Sequence, residues 1–440
     1  MTAPLAPGAQ LRHGRVSLAL SFFVQGAVFA LLVTRIPAIQ DRYGISDGLL
    51  PVFLAAVPVL AGVGSIVTEQ LVKRVRPSRV LRCVQPVVCL ALLAVGSVGS
   101  MAQVAVALAA FGLAVGALDA SMNMLGVSLQ RAYGRSIMLG FHAAYSLGGI
   151  VGASLAWAGA HWKLSLGLLY GPVVAVLVPL AVVVGRWFVD QRDVAGPGRP
   201  EPGQPAEAAP GTPGTPGAPD APSASVAPAV SAAAVTPVAM RLLLPLCLVM
   251  AFAYIGDSTV SNWSAKYLQD VLGSSEQLAT VPYNVYMVTT LLGRAVGDLG
   301  VRRFGAVAVV RCGTVVAAGG FAVVAAAPGA WAGMAGFTLL GLGLCVIVPQ
   351  TFAAAGRYAY DSQGAGASDM AVARLNIFNY VGFLIGSPLV GALGDAWSYR
   401  GAMLVPMALV LVTLVYARSF GAPRAGYGDR HERPRTADVG

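Results

Sequence analysis

Charged side chains are scarce in this sequence. Only 11% of its 440 residues are Asp, Glu, Lys or Arg, whereas about 25% is usual for a soluble protein. Hydrophobic residues make up 56% of the chain. A soluble chain of this length needs more polar surface to cover its core. The composition therefore excludes an ordinary soluble enzyme and predicts a polytopic membrane protein.

Histidine and cysteine are also rare, with four and five residues respectively. The cysteines have no metal-site spacing and their number is odd, so we interpret them as small apolar packing residues. An intramembrane enzyme needs a nucleophile with its base, or metal ligands, at depth. Only His142 lies deep in an apolar run, and no phosphate-binding glycine-rich loop is present. We expect no metal, no cofactor and no enzymatic activity.

Long apolar runs dominate what is present. A membrane-spanning helix needs about 20 apolar residues, and about twelve such runs follow one another along the chain. They predict an all-α polytopic membrane protein whose transmembrane helices form two pseudo-symmetric six-helix bundles. The predicted spans 1 to 12 cover residues 16–34, 49–68, 80–100, 104–127, 136–159, 164–186, 241–260, 280–299, 305–326, 330–353, 370–393 and 400–418.

The runs divide the chain into two halves. Residues 190–238 are rich in Pro, Ala and Gly and cannot bury a core, so we predict a disordered cytoplasmic linker there. The linker separates an N-terminal bundle, 16–189, from a C-terminal bundle, 239–418. Residues 1–15 lead into an uncleaved first span, and 419–440 form a basic tail that is predicted to be disordered.

Basic residues predict the orientation of the spans. They concentrate in alternate connections, such as Lys73 to Arg82 between spans 2 and 3, and Arg302 with Arg303 between spans 8 and 9. Cytoplasmic loops carry such an excess, so we expect a multi-pass protein of the cell membrane with both termini in the cytoplasm. The net charge of +10 then reflects topology, and no nucleic-acid partner is expected.

The two halves carry similar connections after their second spans. Span 2 leads into Leu71–Arg79 and span 8 into Gly293–Gly305, and both are short basic turns. In transporters with duplicated halves, the substrate site lies between the halves near the bilayer midplane. The repeat therefore predicts a cavity between the bundles.

The run Gly-Arg-x-x-Gly-Asp-x-x-x-x-Arg-Phe-Gly from Gly293 to Gly305 resembles the cytoplasmic loop motif of the major facilitator superfamily. The first-half copy departs from it, with Lys73 where an acid is usual and Arg76 where glycine is usual. Other segments resemble the MosC-type branch, which is related to fucose-permease-like sugar transporters. These segments are Arg35–Ile39, Asp119–Asn123, Phe141–His142, Ser146–Gly149, Asn262–Leu268 and Tyr380–Gly391.

The resemblance implies alternating access, in which the two bundles rock around a central site. It also implies that a cytoplasmic charge cluster braces the outward-open state; the alternative is a topology signal alone. The residues of this cluster are Arg294, Asp298, Arg302 and Arg303.

Two positions differ from the pattern of the MosC-type branch. Asp257 stands where Glu is usual, and Asn262 stands where Asp is usual.

Polar residues inside the spans of the first half are candidates for function, because an ionisable group at the bilayer centre is costly. Asp119 lies deep in span 4, with Asn123 on the same helical face. We interpret them as a proton-coupling carboxylate beside a substrate-binding amide, or else as polar groups that join neighbouring helices. His142 lies at a similar depth in span 5 and is a proton relay, a substrate ligand or a packing histidine. Gln25 in span 1 is a weaker candidate.

The second half offers two further groups. Asp257, Asn262 and Trp263 lie late in span 7, where a carboxylate and an aromatic ring suit a hydroxylated ligand. The alternative is an interfacial tryptophan and a carboxylate paired with Lys266 or Arg35. In span 11 one face carries further pocket candidates, and Arg374 points away from it. The candidates on that face are Asn376, Asn379 and Tyr380.

Taken together, these features predict a secondary active transporter that acts as a monomer in the lipid bilayer. Protons are the expected coupling ion, and a small sugar- or polyol-like substrate is favoured. Two alternatives stay open: a proton-driven efflux permease for a small metabolite or drug, and a transporter-like sensor.

Overall fold

The computed structural model describes residues 7–46, 49–190, 237–275, 278 and 281–421. Within these ranges the chain is helical and contains no strand. Most of the predicted linker and of the predicted tail lie outside the described residues. Asp190, where the linker was predicted to begin, is buried and accepts a hydrogen bond from the backbone N–H of Ser78 at 3.2 Å.

The described part of the first half contains six long α-helices and one short α-helix. They are α1 (Pro7–Val33), α2 (Ile36–Tyr43), α3 (Leu50–Leu71), α4 (Pro77–Ser97), α5 (Met101–Tyr133), α6 (Met138–His161) and α7 (Leu166–Val184). The short helix α2 was not predicted. It has a proline in its first turn, where the missing N–H costs nothing, and it ends at Gly44, whose φ of 62° suits a helix C-terminus.

The described part of the second half contains eight α-helices. They are α8 (Pro237–Lys266), α9 (Val281–Phe304), α10 (Ala306–Ala326), α11 (Ala330–Leu344), α12 (Ile347–Gln363), α13 (Ala365–Ala396), α14 (Tyr399–Ala402) and α15 (Leu404–Tyr416). Span 10 is thus divided into α11 and α12, with Cys345 and Val346 between them. A one-turn helix, α14, precedes α15 in span 12.

Each of the twelve predicted spans coincides with a helix or a pair of helices. In the described residues, ten helical segments are long and apolar enough to cross a membrane. Span 2 counts as a shorter apolar helix, Ala55–Leu71, and span 8 is less apolar because the C-terminal half of α9 carries four charged side chains. The prediction of an all-helical, multi-pass membrane protein is confirmed.

The two halves repeat one packing scheme. In the first half α1 packs on α6, α3 packs on α5, and α4 packs on α5 and α7. In the second half α8 packs on α13, α9 packs on α11, and α10 packs on α11 and α15. Helices at equivalent positions therefore make equivalent contacts, as expected of two six-helix bundles with the same fold.

Glycine lets the helix backbones approach closely. A Cβ added at Gly148 of α6 would lie 2.0 Å from the carbonyl oxygen of Phe23 on α1, and one at Gly152 would lie 2.3 Å from that of Ala27. Such contacts replace the hydrophobic effect as a source of attraction between helices in lipid.

The halves contact each other at the end of the molecule where α1 and α6 begin. Arg374 on α13 donates to Glu69 on α3 at 2.8 Å, and both side chains are largely buried. Nearby, Asn376 donates to the hydroxyl of Ser65 at 2.9 Å. Arg131 on α5 lies with its guanidinium 4.3 Å from the ring centre of Tyr360 on α12. The ion pair of Arg374 with Glu69 thus joins α13 to α3, and Glu69 lies one turn before Lys73.

We expect Gly148→Ala to destabilise the protein by about 1–3 kcal/mol, because the added methyl group meets backbone that cannot move aside. Gly171→Ala on α7 is the matched control, since a Cβ there meets nothing within 4 Å. Thermal unfolding of the purified protein measures both. Equal melting temperatures for the two variants would contradict the close approach of α1 and α6.

We expect Glu69→Ala to lower the free energy of unfolding by about 3 kcal/mol, because it leaves the guanidinium of Arg374 without its carboxylate. The exchanged pair Glu69→Arg with Arg374→Glu should recover a substantial part of that loss. A double-mutant cycle on unfolding midpoints measures the coupling. Additive effects of the single substitutions would show that the pair contributes nothing.

Candidate functional site

A cavity of about 950 Å³ lies between the two halves. Helices α1, α3, α5 and α6 line it from one side, and α8, α9, α11, α12 and α13 line it from the other. It reaches the connection after α1, through Thr34 and Ile36, and extends inward to His142, Arg294 and Phe352. Its size lies within the range of ligand-binding pockets. The predicted cavity between the bundles is therefore present.

Asp119 lies in the wall of this cavity and is bonded from two directions. The side-chain amide of Gln25 on α1 donates to one carboxylate oxygen, and the hydroxyl of Tyr380 on α13 donates to the other. Tyr380 belongs to the second half, so the carboxylate joins the two bundles at mid-depth. Three residues singled out separately in the sequence thus form one hydrogen-bonded group.

Asp257 on α8 lines the opposite wall of the cavity. The hydroxyl of Tyr286 on α9 donates to one of its oxygens. Of the two partners weighed from the sequence, Lys266 pairs instead with Asp270 at 2.5 Å, four residues further along the chain. The Nε of Arg35 is buried without a hydrogen-bond partner in the described structure. The carboxylate therefore lies inside the cavity and is bonded within its own half.

His142 and Asn123 lie at the inner end of the cavity. The ring of His142 packs between Phe22, at 5.3 Å between ring centres, and Phe352, at 6.2 Å. Asn123 donates to the backbone oxygen of Asp119 at 2.9 Å. His142 Nε2 and Asn123 Oδ1 are both buried without a hydrogen-bond partner in the described structure.

The remaining candidates differ in their distance from the cavity. Asn262 and Asn379 line it. Asn376 does not, because its side chain is fully buried between α13 and α3 against Ser65. Trp263 also lies outside the lining: its indole N–H donates to the backbone oxygen of Ser387 at 3.0 Å, and its ring lies 5.3 Å from that of Tyr399. Asn376 and Trp263 join helices and lie outside the cavity lining.

Asp298 of the predicted charge cluster binds the other half of the molecule. Its carboxylate accepts hydrogen bonds from the backbone N–H groups of Leu139, at 3.3 Å, and Gly140, at 2.9 Å, and from the hydroxyl of Ser136, at 2.6 Å. These N–H groups belong to the first turn of α6, where they have no partner within the helix and carry partial positive charge. A carboxylate of α9 thus caps α6.

Ile137, which directly precedes α6, and Met138, its first residue, both donate their backbone N–H to the side-chain oxygen of Gln130 near the end of α5. Arg302 adds a link between the halves by donating to the backbone oxygen of Ser136 at 2.7 and 3.1 Å. Arg303 is exposed and lies over the ring of Phe304, at 5.4 Å. The cluster therefore acts through the start of α6, and Arg303 contributes no described contact to the other half.

Arg294 reaches the inner end of the cavity from the same face of α9, one turn before Asp298. Its guanidinium donates to the hydroxyl of Ser146 at 2.7 Å and to the backbone oxygens of His142 and Cys345, at 3.4 Å each. The oxygen of Cys345 is available because the helix is interrupted there. Arg294 thus connects α6 to the break between α11 and α12.

Several cavity residues were missed in the sequence, notably Tyr145, Tyr254 and Ser261. Tyr145 is three residues after His142, and Tyr254 is three residues before Asp257. Residues at this spacing share a helical face, so the periodicity around the two candidates could have found both tyrosines. Groups of three or more His, Cys, Asp or Glu side chains that could hold a metal are absent from the described residues.

The chain is similar to known membrane transporters over nearly its whole length. An uncharacterised transporter of Yersinia pestis is 27% identical over 92% of this chain and 95% of its own. The membrane protein MosC of Rhizobium meliloti is 23% identical over 96% of this chain and 93% of its own. The resemblance to the MosC branch that was stated from the motifs is confirmed.

Solved structures share the fold. FucP in its outward conformation superposes with a TM-score of 0.70 at 15% identity, covering 93% of this chain and 99% of its own. A variant of FucP, described as the fucose:proton symporter of Escherichia coli, gives 0.69 at 14% identity, covering 93% and 98%. The family profile described as Major Facilitator Superfamily matches residues 2–153 and 246–437. With this match across both bundles, the chain belongs to the major facilitator superfamily of membrane transporters.

Proposed function

We propose that this protein is a secondary active transporter that takes up a small hydroxylated solute, of sugar or polyol type, together with protons. The observation that carries the proposal is Asp119, a carboxylate inside the cavity whose two oxygens are bonded from both halves. In this scheme the protein works as a monomer in the cell membrane, with both termini in the cytoplasm.

The positions of the contacts support an outward-facing state under this orientation. The bonds of Glu69, Asp298 and Arg302 to the opposite half lie at the end where α1 and α6 begin, which is the cytoplasmic end. The cavity reaches the opposite end, at the connection after α1. Opening toward the cytoplasm then requires these contacts to break, as alternating access demands.

Asp119 offers a way to couple protons to this movement. An ionised carboxylate accepts hydrogen bonds at both oxygens, whereas a protonated one becomes a donor and loses acceptor capacity. Protonation therefore weakens the bond from Tyr380 and loosens α13 from α5. A proton bound from the outside thereby favours separation of the halves on the cytoplasmic side.

The chemistry of the lining supports a hydroxylated substrate. Amide groups of Gln25, Asn262 and Asn379 and the hydroxyls of several tyrosines converge on the cavity. Amides and hydroxyls both donate and accept hydrogen bonds, as the hydroxyl groups of a polyol do. The fold relatives include a fucose:proton symporter, which is consistent with this substrate class.

We expect Asp119→Asn to abolish uptake driven by a pH gradient in proteoliposomes, because an amide cannot take up the coupled proton. Exchange of solute without a gradient should persist, since the fold and the remaining ligands are kept. Asp395→Asn is the control, because Asp395 is an exposed carboxylate bonded to Tyr399 outside the cavity lining. Full gradient-driven flux in Asp119→Asn would show that this carboxylate is not the coupling group.

We expect sugars or polyols to raise the melting temperature of the purified protein, because a ligand that binds only the folded state stabilises it by about 2.7 kcal/mol at 100 times its Kd. Sugars also stabilise proteins non-specifically. That part should remain in Asn379→Ala, while the specific part is lost. Stabilisation by apolar drug-like compounds only would favour the efflux alternative.

A further inference from the structure

The two carboxylates of the cavity are held differently. Both oxygens of Asp119 accept side-chain hydrogen bonds, from Gln25 and Tyr380. In the described structure one side chain, that of Tyr286, donates to Asp257, and it binds a single oxygen. Asp257 therefore retains acceptor capacity toward the cavity, whereas Asp119 is already engaged.

Three tyrosines line the cavity wall near Asp257. Tyr286 donates to it, and the ring of Tyr283 lies 6.4 Å from that of Tyr286 between centres, at 29°. Tyr254 lies one turn before Asp257 on α8, within electrostatic range of both Asp257 and Asp119. All four residues line the cavity. A carboxylate among aromatic rings is the arrangement with which proteins bind ammonium groups.

The other charges near Asp257 permit a bound cation. Arg294 is within electrostatic range of Asp257, but its guanidinium donates to Ser146 and to the backbone oxygens of His142 and Cys345. The described lining thus holds two carboxylates, Asp119 and Asp257, against the one guanidinium of Arg294. When both carboxylates are ionised, the described lining carries one net negative charge, which a bound cation compensates.

We propose that Asp257, Tyr254, Tyr283 and Tyr286 form a subsite for a cationic nitrogen, so that the favoured substrate within the sugar- or polyol-like class carries an ammonium group beside its hydroxyl groups. This inference rests on the proposed transport function and narrows its substrate class. Asp119 carries the coupled proton, Asp257 binds the ammonium group, and the cavity amides bind the hydroxyl groups. The Asp257 oxygen that does not bind Tyr286 accepts a hydrogen bond from an ammonium group or lies next to a quaternary nitrogen.

Charged thiol reagents test the subsite without knowledge of the natural substrate. Ser261, one turn after Asp257 in the lining, is replaced by cysteine in a background in which the exposed Cys83 and Cys312 are serine. The probes are trimethylammonium-ethyl and sulfonato-ethyl methanethiosulfonate, and the neutral hydroxyethyl reagent reports accessibility. Should Ser261→Cys prove inaccessible to the neutral reagent, Asn262→Cys, which is exposed in the same lining, replaces it.

The expected result is a cation-to-anion rate ratio about tenfold higher at Ser261→Cys than at Thr34→Cys, which lines the outer part of the cavity on the first half. Adding Asp257→Asn should reduce the ratio to the value at Thr34→Cys. Tyr283→Phe should keep the preference and Tyr283→Leu should lower it, because only phenylalanine retains the ring. Tetraethylammonium should slow modification in the parent but not in Asp257→Asn.

Equal ratios at the two cysteines, or a ratio unchanged by Asp257→Asn, would overturn the subsite. The labelling is done on purified protein without a pH gradient, so its outcome does not depend on proton coupling. A failed subsite combined with gradient-driven uptake of a neutral polyol would leave the transport function intact. A cation preference combined with no gradient-driven flux would support the subsite and contradict the proposed transport function.

Discussion

Polar groups inside a bilayer must find partners within the protein, and this constraint shapes the molecule. An unpaired polar or charged group in lipid is costly, so such groups concentrate where the two bundles meet. Asp119 is bonded by Gln25 and Tyr380, and Glu69 by Arg374. The lipid-facing surfaces are left to apolar side chains. The boundary between the halves is therefore the polar interior of the protein, and the cavity lies in it.

The contacts between the halves differ along the bilayer normal. At the end where α6 begins, Asp298 supplies a carboxylate to a helix N-terminus, and Glu69 supplies one to an arginine. Both bonds use full or partial charges in a place with little water, where they are strong. Toward the opposite end the cavity separates the bundles. The two pairs α3–α13 and α6–α9 occupy equivalent places in the repeat, yet they use different chemistry: Glu69 on α3 binds a guanidinium, whereas Asp298 on α9 binds backbone N–H groups.

Helical periodicity could predict which residues share a face, but not which faces meet. Trp263 follows Asp257 closely in the sequence and was expected beside it, yet it packs between α8 and α13. Asn376 shares a face with Asn379, yet it is buried against Ser65 of the other half. A rotation of 100° per residue along a helix is enough to turn one neighbour into the cavity and the next into a helix contact. The partners of Asp298, the first-turn N–H groups of α6, carry no side-chain signal in the sequence at all.

The sequence by itself determined that the chain is a membrane protein with two similar sets of helical spans, because the length and apolarity of each run are local properties. It also identified the residues whose burial needs a reason, Asp119, His142 and Asp257 among them. The tertiary structure alone decided that Asp119 would be shared between the bundles and that Asp257 would lie near three tyrosines. Those pairings join residues far apart in the chain, and only the packing of whole helices brings such residues within hydrogen-bond distance.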